Sequence, residues 1–290
     1  MKFHRAYIEV TNICGLACSF CPPKTIPAHT MELSFFESVL QELCVYTNEI
    51  ALHVMGDPMV LSNLTQYLDI ASQSGFRVMI TTSGFYLDEL RRTACFHPAV
   101  KQVNISLNSF NKNSVSRSFE AYVEPILQFC DEKLRLKPDI FINLRLWNLD
   151  DICSEKSFNE QLFQKLENHF DLGTGSIEGL ISGERQSIRL ASKILLHFDR
   201  YFEWPNLNND VAGNGYCHGL IGQIAILADG RVVPCCLDGE GIMELGNLHE
   251  TNLGKILTSK RSQAITEGFS KGLAVEELCQ KCSYKERFKQ

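Results

Sequence analysis

The chain has 290 residues, room for one large domain or for one large and one small. Its hydrophobic fraction of 44% and charged fraction of 21% are those of an ordinary water-soluble fold, and its net charge of -6 gives no broad grip on nucleic acid or on an anionic membrane. No apolar run approaches the roughly 20 residues that span a bilayer, and Glu9 interrupts the first apolar run, so no signal peptide is expected there. Twelve cysteines without a secretory signal point to a reducing compartment, the cytoplasm, and to metal rather than disulfides.

Taken in order, residues 5–10 read as a first strand. An irregular loop follows, Cys14-Gly15-Leu16-Ala17-Cys18-Ser19-Phe20-Cys21, with Pro22 and Pro23 behind it. Ser34-Phe35-Phe36-Glu37 has the form of a capping box opening a helix with Val39, Leu40 and Leu43 on its apolar face. Cys44 is expected to pack beside that face. Further strands are predicted over residues 49–55, 76–82, 103–107 and 140–146, and a sixth over 188–198. Helices are predicted over 61–74, 87–95, 116–136 and 157–170, with Cys95, Cys130 and Cys153 as structural thiols. Strands alternating with helices imply parallel βαβ units, whose sites gather at the carboxyl ends of the strands.

The three thiols at C-x3-C-x2-C spacing have no fourth nearby. A structural zinc wants four ligands, whereas a cluster held by three cysteines leaves one iron open. This loop resembles the C-x3-C-x-aromatic-C signature of the radical S-adenosylmethionine (radical SAM) superfamily, with Phe20 at the aromatic position. The resemblance implies a partial (β/α)6 TIM-like barrel. It also implies a 4Fe-4S cluster on Cys14, Cys18 and Cys21 that cleaves S-adenosylmethionine to methionine and a 5'-deoxyadenosyl radical. Gly56-Asp57-Pro58 is similar to the end of the family's G-G-E-P motif, with a shortened acid, and implies contact with the ligand's amine. A Gly56→Val change is expected to weaken that contact and leave the protein folded. Thr82-Ser83-Gly84 gives a permissive loop near the same ligand, Ser106 and Asn108 are similar to the family's ribose-binding serine and its neighbouring polar residue, and Arg145 matches where many members place an arginine or polar group on the methionine carboxylate.

Residues 205–216 have the composition of a linker, and a second set of cysteines follows. Twelve residues separate Cys217 from Gly230, four separate Gly230 from Cys235, and Cys279-x2-Cys282 lies beyond. Asp229-Gly230 between two apolar runs predicts a hairpin that brings Cys217 and Cys235 to one end. A helix over 253–269 returns the chain to Cys279 and Cys282. Four thiols suffice for zinc or for a second 4Fe-4S cluster, and spacing does not decide between them. Adjacent Cys236 competes with Cys235, which the Gly-x4-Cys phase favours. The pattern resembles the start of the SPASM extension without its later cysteines. That is the shortened form called a twitch domain, joined to a radical SAM barrel as in the 2-deoxy-scyllo-inosamine dehydrogenases.

The resemblance implies a barrel over 1–204, a linker over 205–216 and an auxiliary-cluster domain over 217–290. It implies an oxidoreductase, dehydrogenase-like, that abstracts a hydrogen atom from a small molecule and oxidises it by two electrons, with the auxiliary cluster as acceptor. It needs an electron donor such as flavodoxin or ferredoxin. Peptide modification is the alternative, disfavoured because the cluster loop begins at position 14. A reading from another class is a zinc- or cluster-bearing regulatory protein without catalysis. His197, Asp199 and Glu203 are the candidates for a general base.

Overall fold

The computed structural model describes residues 2–288 except positions 24, 111, 114, 150–155, 182–185 and 202. Cys153 lies outside the described residues. The elements are β1 (Arg5–Ile8), α1 (Leu33–Leu43), β2 (Glu49–Leu52), α2 (Leu64–Gln73), β3 (Arg77–Thr82), α3 (Glu89–Cys95), β4 (Val100–Ser106), α4 (Phe119–Leu136), β5 (Phe141–Leu146), α5 (Lys156–His169) and α6 (Ser176–Ile181). They continue as β6 (Ser187–Ala191), β7 (Ile194–Phe198), β8 (Gln223–Ile226), β9 (Arg231–Val233), β10 (Gly246–Asn247), α7 (Leu253–Leu257), α8 (Lys260–Ser270) and α9 (Glu277–Gln280). This is the α/β class that the alternation predicts. The chain falls into two compact units, one of residues 1–15, 20–79 and 202–290, the other of residues 16–19 and 80–201, with β3 running from the first into the second. Among the described residues no helix is long and apolar enough to cross a membrane.

In the first unit the strands lie in the order β10-β9-β8-β1-β2. β1 pairs in parallel with β2, Ala6 opposite Ile50, and in parallel with β8, Ala6 opposite Ile224. Ala6, Ile8, Ile50, Leu52, Ile224 and Ile226 are fully buried, as the inner strands of a covered parallel sheet require. α1 buries Phe36, Val39, Leu40 and Leu43, the i, i+3, i+4, i+7 stripe, at about 1.5–3 kcal/mol per large side chain. The capping box is not used. α1 starts at Leu33, and Glu32 at its N-cap makes no side-chain cap bond. Met31 N–H already bonds Val10 O at 2.9 Å, which anchors the chain into the helix before Ser34 is reached. Cys44 is exposed, not packed, and its thiol donates to Gln41 O. It stands one residue past Leu43, a rotation of roughly 100° off the apolar stripe.

In the second unit the order is β4-β5-β7-β6. β4 and β5 pair in parallel, as do β5 and β7. The single sixth strand expected over 188–198 is instead a hairpin, because Lys193 takes a left-handed φ of 56° and reverses the chain. Only its second arm, β7, continues the parallel series. Cys95 and Cys130 are buried as expected. In the C-terminal segment the one helix expected over 253–269 is two, because Ser259 caps a new start by accepting from Ser262 N.

Candidate metal centres and active site

The first thiol loop leaves β1 through a tied neck. Asn12 Nδ2 donates to Pro27 O at 2.8 Å, and Asn12 Oδ1 accepts from His29 N at 2.7 Å. Thr11 Oγ1 donates to His29 O at 3.1 Å. Both neck side chains are buried, and their bonds to residues 27 and 29 fix the chain where the thiol loop leaves and returns. In the first unit Cys14 is half-buried and Cys21 exposed, with Phe20 half-buried beside it. In the second unit Cys18 is half-buried, and Ser19 N donates to Lys112 O at 2.6 Å. Gly15 takes the left-handed φ of 68° that the turn between the first two thiols uses.

Gly56, Asp57 and Pro58 abut the start of this loop. Asp57 N donates to Ile13 O at 3.0 Å, one residue before Cys14. A Cβ on Gly56 would stand 1.9 Å from Thr11 O and 2.7 Å from Thr11 C. Here, therefore, glycine is demanded by protein backbone rather than by a ligand. Asp57 is buried, and its carboxylate accepts from Met59 N at 3.0 Å to cap the single turn Pro58–Val60. The expectation of a folded Gly56→Val protein is accordingly revised. Its side chain meets main chain, which cannot yield as a side chain can, so the cost exceeds the about 1–3 kcal/mol of ordinary overpacking. The variant should melt well below the parent and bind less iron. A melting temperature within a degree or two of the parent would refute this close approach.

Glu9, read from the sequence only as an interruption, ties three segments of the first unit. Its Oε1 accepts from Met55 N at 2.8 Å and its Oε2 from Ala228 N at 3.2 Å, with 1% of the residue exposed. An acid inside an otherwise apolar strand was the available signal, since a buried carboxylate must find donors.

The second unit carries the remaining predicted contacts. Ser83 is buried, its Oγ accepting from Phe85 N at 3.3 Å and its carbonyl from the Tyr122 hydroxyl at 2.8 Å. Ser106 ends β4, and Asn108 lies buried in the single turn Leu107–Ser109 that follows. Arg145 is half-buried on β5, in register with Ser106 on one side and His197 on the other, its guanidinium 5.2 Å from the Trp147 ring centre. Burial, and then the charge of Arg145, lower the pKa of His197, so its imidazole is neutral at neutral pH. Asp199 is half-buried and accepts from Arg200 N at 2.7 Å. Glu203 is exposed and belongs to the first unit.

The second thiol set lies wholly in the first unit. β8 and β9 form the predicted hairpin, with Gly230 at φ 87° in its turn, where a β-carbon would be strained. Leu220 N donates to Pro234 O at 3.3 Å, closing the open end between Cys217 and Cys235. α9 presents Cys279, and Cys282 N bonds Cys279 O at 3.3 Å. Lys285, 4% exposed, backs this turn by donating to Cys279 O at 2.9 Å and Cys282 O at 2.7 Å. Burial is the main cause that raises all four thiols. Cys235 is raised further by Cys217, Cys236 and Cys279, and Cys279 by Cys217 and Cys282, so the four are electrostatic neighbours. Cys236 is engaged elsewhere. Its thiol shares a hydrogen bond with Tyr7 and packs against the apolar cluster of Val54, Met55, Leu227 and Val233, and burial pushes it up to about 11.

Among the described residues no three His, Cys, Asp or Glu side chains stand as ligands of one ion. With four thiols, Cys279 buried and the other three half-buried, this donor set fits an iron–sulfur cluster.

The profile of the radical SAM superfamily matches residues 8–140, and that of the SPASM iron-sulfur cluster-binding domain matches residues 217–283. No curated protein matches the chain in sequence. Among solved structures, BtrN in complex with AdoMet and 2-DOIA is similar with a TM-score of 0.62 at 15% identity, covering 98% of this chain and 94% of that one. Streptococcus suis SuiB bound to precursor peptide SuiA is similar with a TM-score of 0.61 at 13% identity, covering 98% and 72%. For anSMEcpe with bound AdoMet the values are 0.56 at 15% identity, covering 97% and 86%. At these identities the likeness shows a shared α/β fold alone.

Proposed function

We propose, for a chain that belongs to the radical SAM superfamily and carries a C-terminal SPASM domain, a two-electron oxidation of a small molecule. The family brings S-adenosylmethionine and a 4Fe-4S cluster to the first site and iron–sulfur to the second. Bound there, they would supply the one-electron chemistry for oxidising a carbinol to a carbonyl, with a base of this chain taking the hydroxyl proton and the four C-terminal thiols holding the group that would take up the second electron.

In this reading residues 1–204 form the barrel, 205–216 the linker and 217–290 the auxiliary domain. Cys14, Cys18 and Cys21 hold the first cluster, with Phe20 beside it. Gly56, Asp57, Pro58, Ser83, Ser106, Asn108 and Arg145 orient S-adenosylmethionine. Cys217, Cys235, Cys279 and Cys282 hold the second cluster. Of His197, Asp199 and Glu203, His197 is the base, because it is half-buried and its pKa is lowered, so it is free to accept a proton. Flavodoxin or ferredoxin supplies the first electron, in the cytoplasm.

The observation that carries oxidation is the second thiol set. Four thiol ligands leave no iron open for substrate, so accepting an electron is the chemistry that suits such a cluster. Peptide modification is the second reading, favoured by the comparable TM-score to SuiB with its precursor peptide. The protein, reconstituted anaerobically, should be given extract from cells grown in heavy water, divided into metabolite and peptide fractions. The metabolite fraction should pass deuterium into 5'-deoxyadenosine and yield a product two hydrogens lighter. Deuterium transfer from the peptide fraction alone would reject the small-molecule reading.

A further inference from the structure

The turn that presents Cys279 and Cys282 is built around a buried ammonium. Lys285 is 4% exposed. Its Nζ donates to Cys279 O at 2.9 Å, to Gln280 O at 3.4 Å and to Cys282 O at 2.7 Å. Its stem lies against the other half of the thiol set. A Cβ on Gly215, two residues before Cys217, would stand 3.4 Å from Lys285 Cδ. The ammonium is therefore within hydrogen-bond reach of the main chain of two of the four thiol residues, and its stem adjoins the approach to a third.

Three carbonyls satisfy the three N–H donors of a lysine but leave its charge uncancelled. A buried charge is costly unless an opposite charge stands near it. Among the described residues no carboxylate forms an ion pair with Lys285. The acids nearest in the chain are engaged elsewhere or wet. Glu276 holds Arg261 through two bonds of 2.8 Å, Glu277 pairs with Lys281 at 3.3 Å, and Glu286 is exposed. Asp238 accepts from Ile242 N at 2.9 Å and Met243 N at 2.7 Å.

The missing negative charge is what four ligating cysteines would supply. Thiols ligate metal as thiolates. A four-iron cluster on four thiolates is anionic, and more so once it has gained an electron. A fixed positive charge beside it, in a site of low dielectric, favours the reduced form and raises the reduction potential.

We infer that Lys285 is a positioning residue of the electron-accepting site, its buried ammonium serving as the counter-charge of the cluster on Cys217, Cys235, Cys279 and Cys282 and raising that cluster's reduction potential. The electron count is simple. One electron leaves the substrate once its hydrogen atom and its hydroxyl proton have gone, and one electron is gained at the four-thiol site. The inference rests on the acceptor reading above and adds the residue that tunes it.

The test uses full-length protein with Cys14, Cys18 and Cys21 replaced by alanine, so that only the C-terminal cluster is reconstituted. A potentiometric titration followed by electron paramagnetic resonance reads its one-electron reduction. Lys285→Gln and Lys285→Met keep a straight stem and remove the charge, and glutamine keeps a donor for the carbonyls. Each should lower the equilibrium constant for reduction at least tenfold, a potential more negative by about 59 mV or more for one electron. Lys285→Arg keeps the charge and should lie closer to the parent than either neutral variant. Lys271→Gln removes an exposed charge from the same unit, which salt screens, and should stay within about threefold of the parent. A lysine that only ties the turn predicts another order, with glutamine nearest the parent. The inference is overturned if a neutral variant that retains about four irons shifts less than tenfold, if arginine shifts as far as the neutral variants, or if Lys271→Gln matches them. Two neutral variants keep the test decisive if one fails to fold, and loss of iron from both would overturn it by making Lys285 part of the domain's framework. Failure of the acceptor reading itself would show separately, in full product formation by folded Cys279→Ala protein with the first cluster intact.

Discussion

Protein in which Cys14, Cys18 and Cys21 are all replaced by alanine should form no 5'-deoxyadenosine from S-adenosylmethionine. Three thiolates on one loop leave one iron with an open position, and that position is what a closed four-ligand site lacks. Without them the electron has no route to the sulfonium. The variant should remain folded, because the neck at Thr11 and Asn12 is tied to residues 27–30 by bonds that involve no cysteine. Its melting temperature is therefore the control that separates lost chemistry from lost structure. Iron analysis should give about eight irons in the parent and about four in the variant, as two four-iron clusters require. Parental amounts of 5'-deoxyadenosine from the triple variant would end the radical reading. A residual count near zero, with stoichiometric zinc instead, would end the assignment of a second cluster.

The second large effect is expected at the C-terminal thiols, and it separates two adjacent residues. In the triple-alanine background, Cys235→Ala should lower the residual iron, whereas Cys236→Ala should leave it near four. The physical difference is partnership. Cys235 neighbours Cys217 and Cys279, while the Cys236 thiol is hydrogen-bonded to Tyr7 and packed in an apolar cluster. With the first cluster intact, Cys279→Ala should still cleave S-adenosylmethionine but yield no oxidised product, since the substrate electron has lost its acceptor. The same change should lower thermal stability, because binding energy at a structural metal site is folding energy. Lys285 compounds the loss, its ammonium being spent on the carbonyls of Cys279 and Cys282. A circular-dichroism melt shows whether the domain survives. Full product formation by folded Cys279→Ala protein would refute the electron-acceptor role, and iron lost on replacing Cys236 rather than Cys235 would exchange their assignments.

What could be read from the residues alone was local. The C-x3-C-x2-C loop, the Asp229-Gly230 hairpin and the strand–helix alternation are each set by neighbours in the chain, and each is present. The errors were also local competitions decided by distant contacts. Ser34 lost its capping role because Met31 is bound to Val10, and the sixth strand became a hairpin because Lys193 turns the chain back. What only the tertiary structure decided are pairings between residues far apart in sequence. β8 lies against β1, so Glu9 can bridge to Ala228, 219 positions away. Tyr7, on β1, engages Cys236 and leaves Cys235 to face the other thiols. Asn104 and Asn143 face one another only because β4 and β5 pair in that register. A shift of one residue would turn every side chain of a strand to the opposite face, and register is set by the burial of Ile105 and Leu144 rather than by anything near either asparagine in the chain.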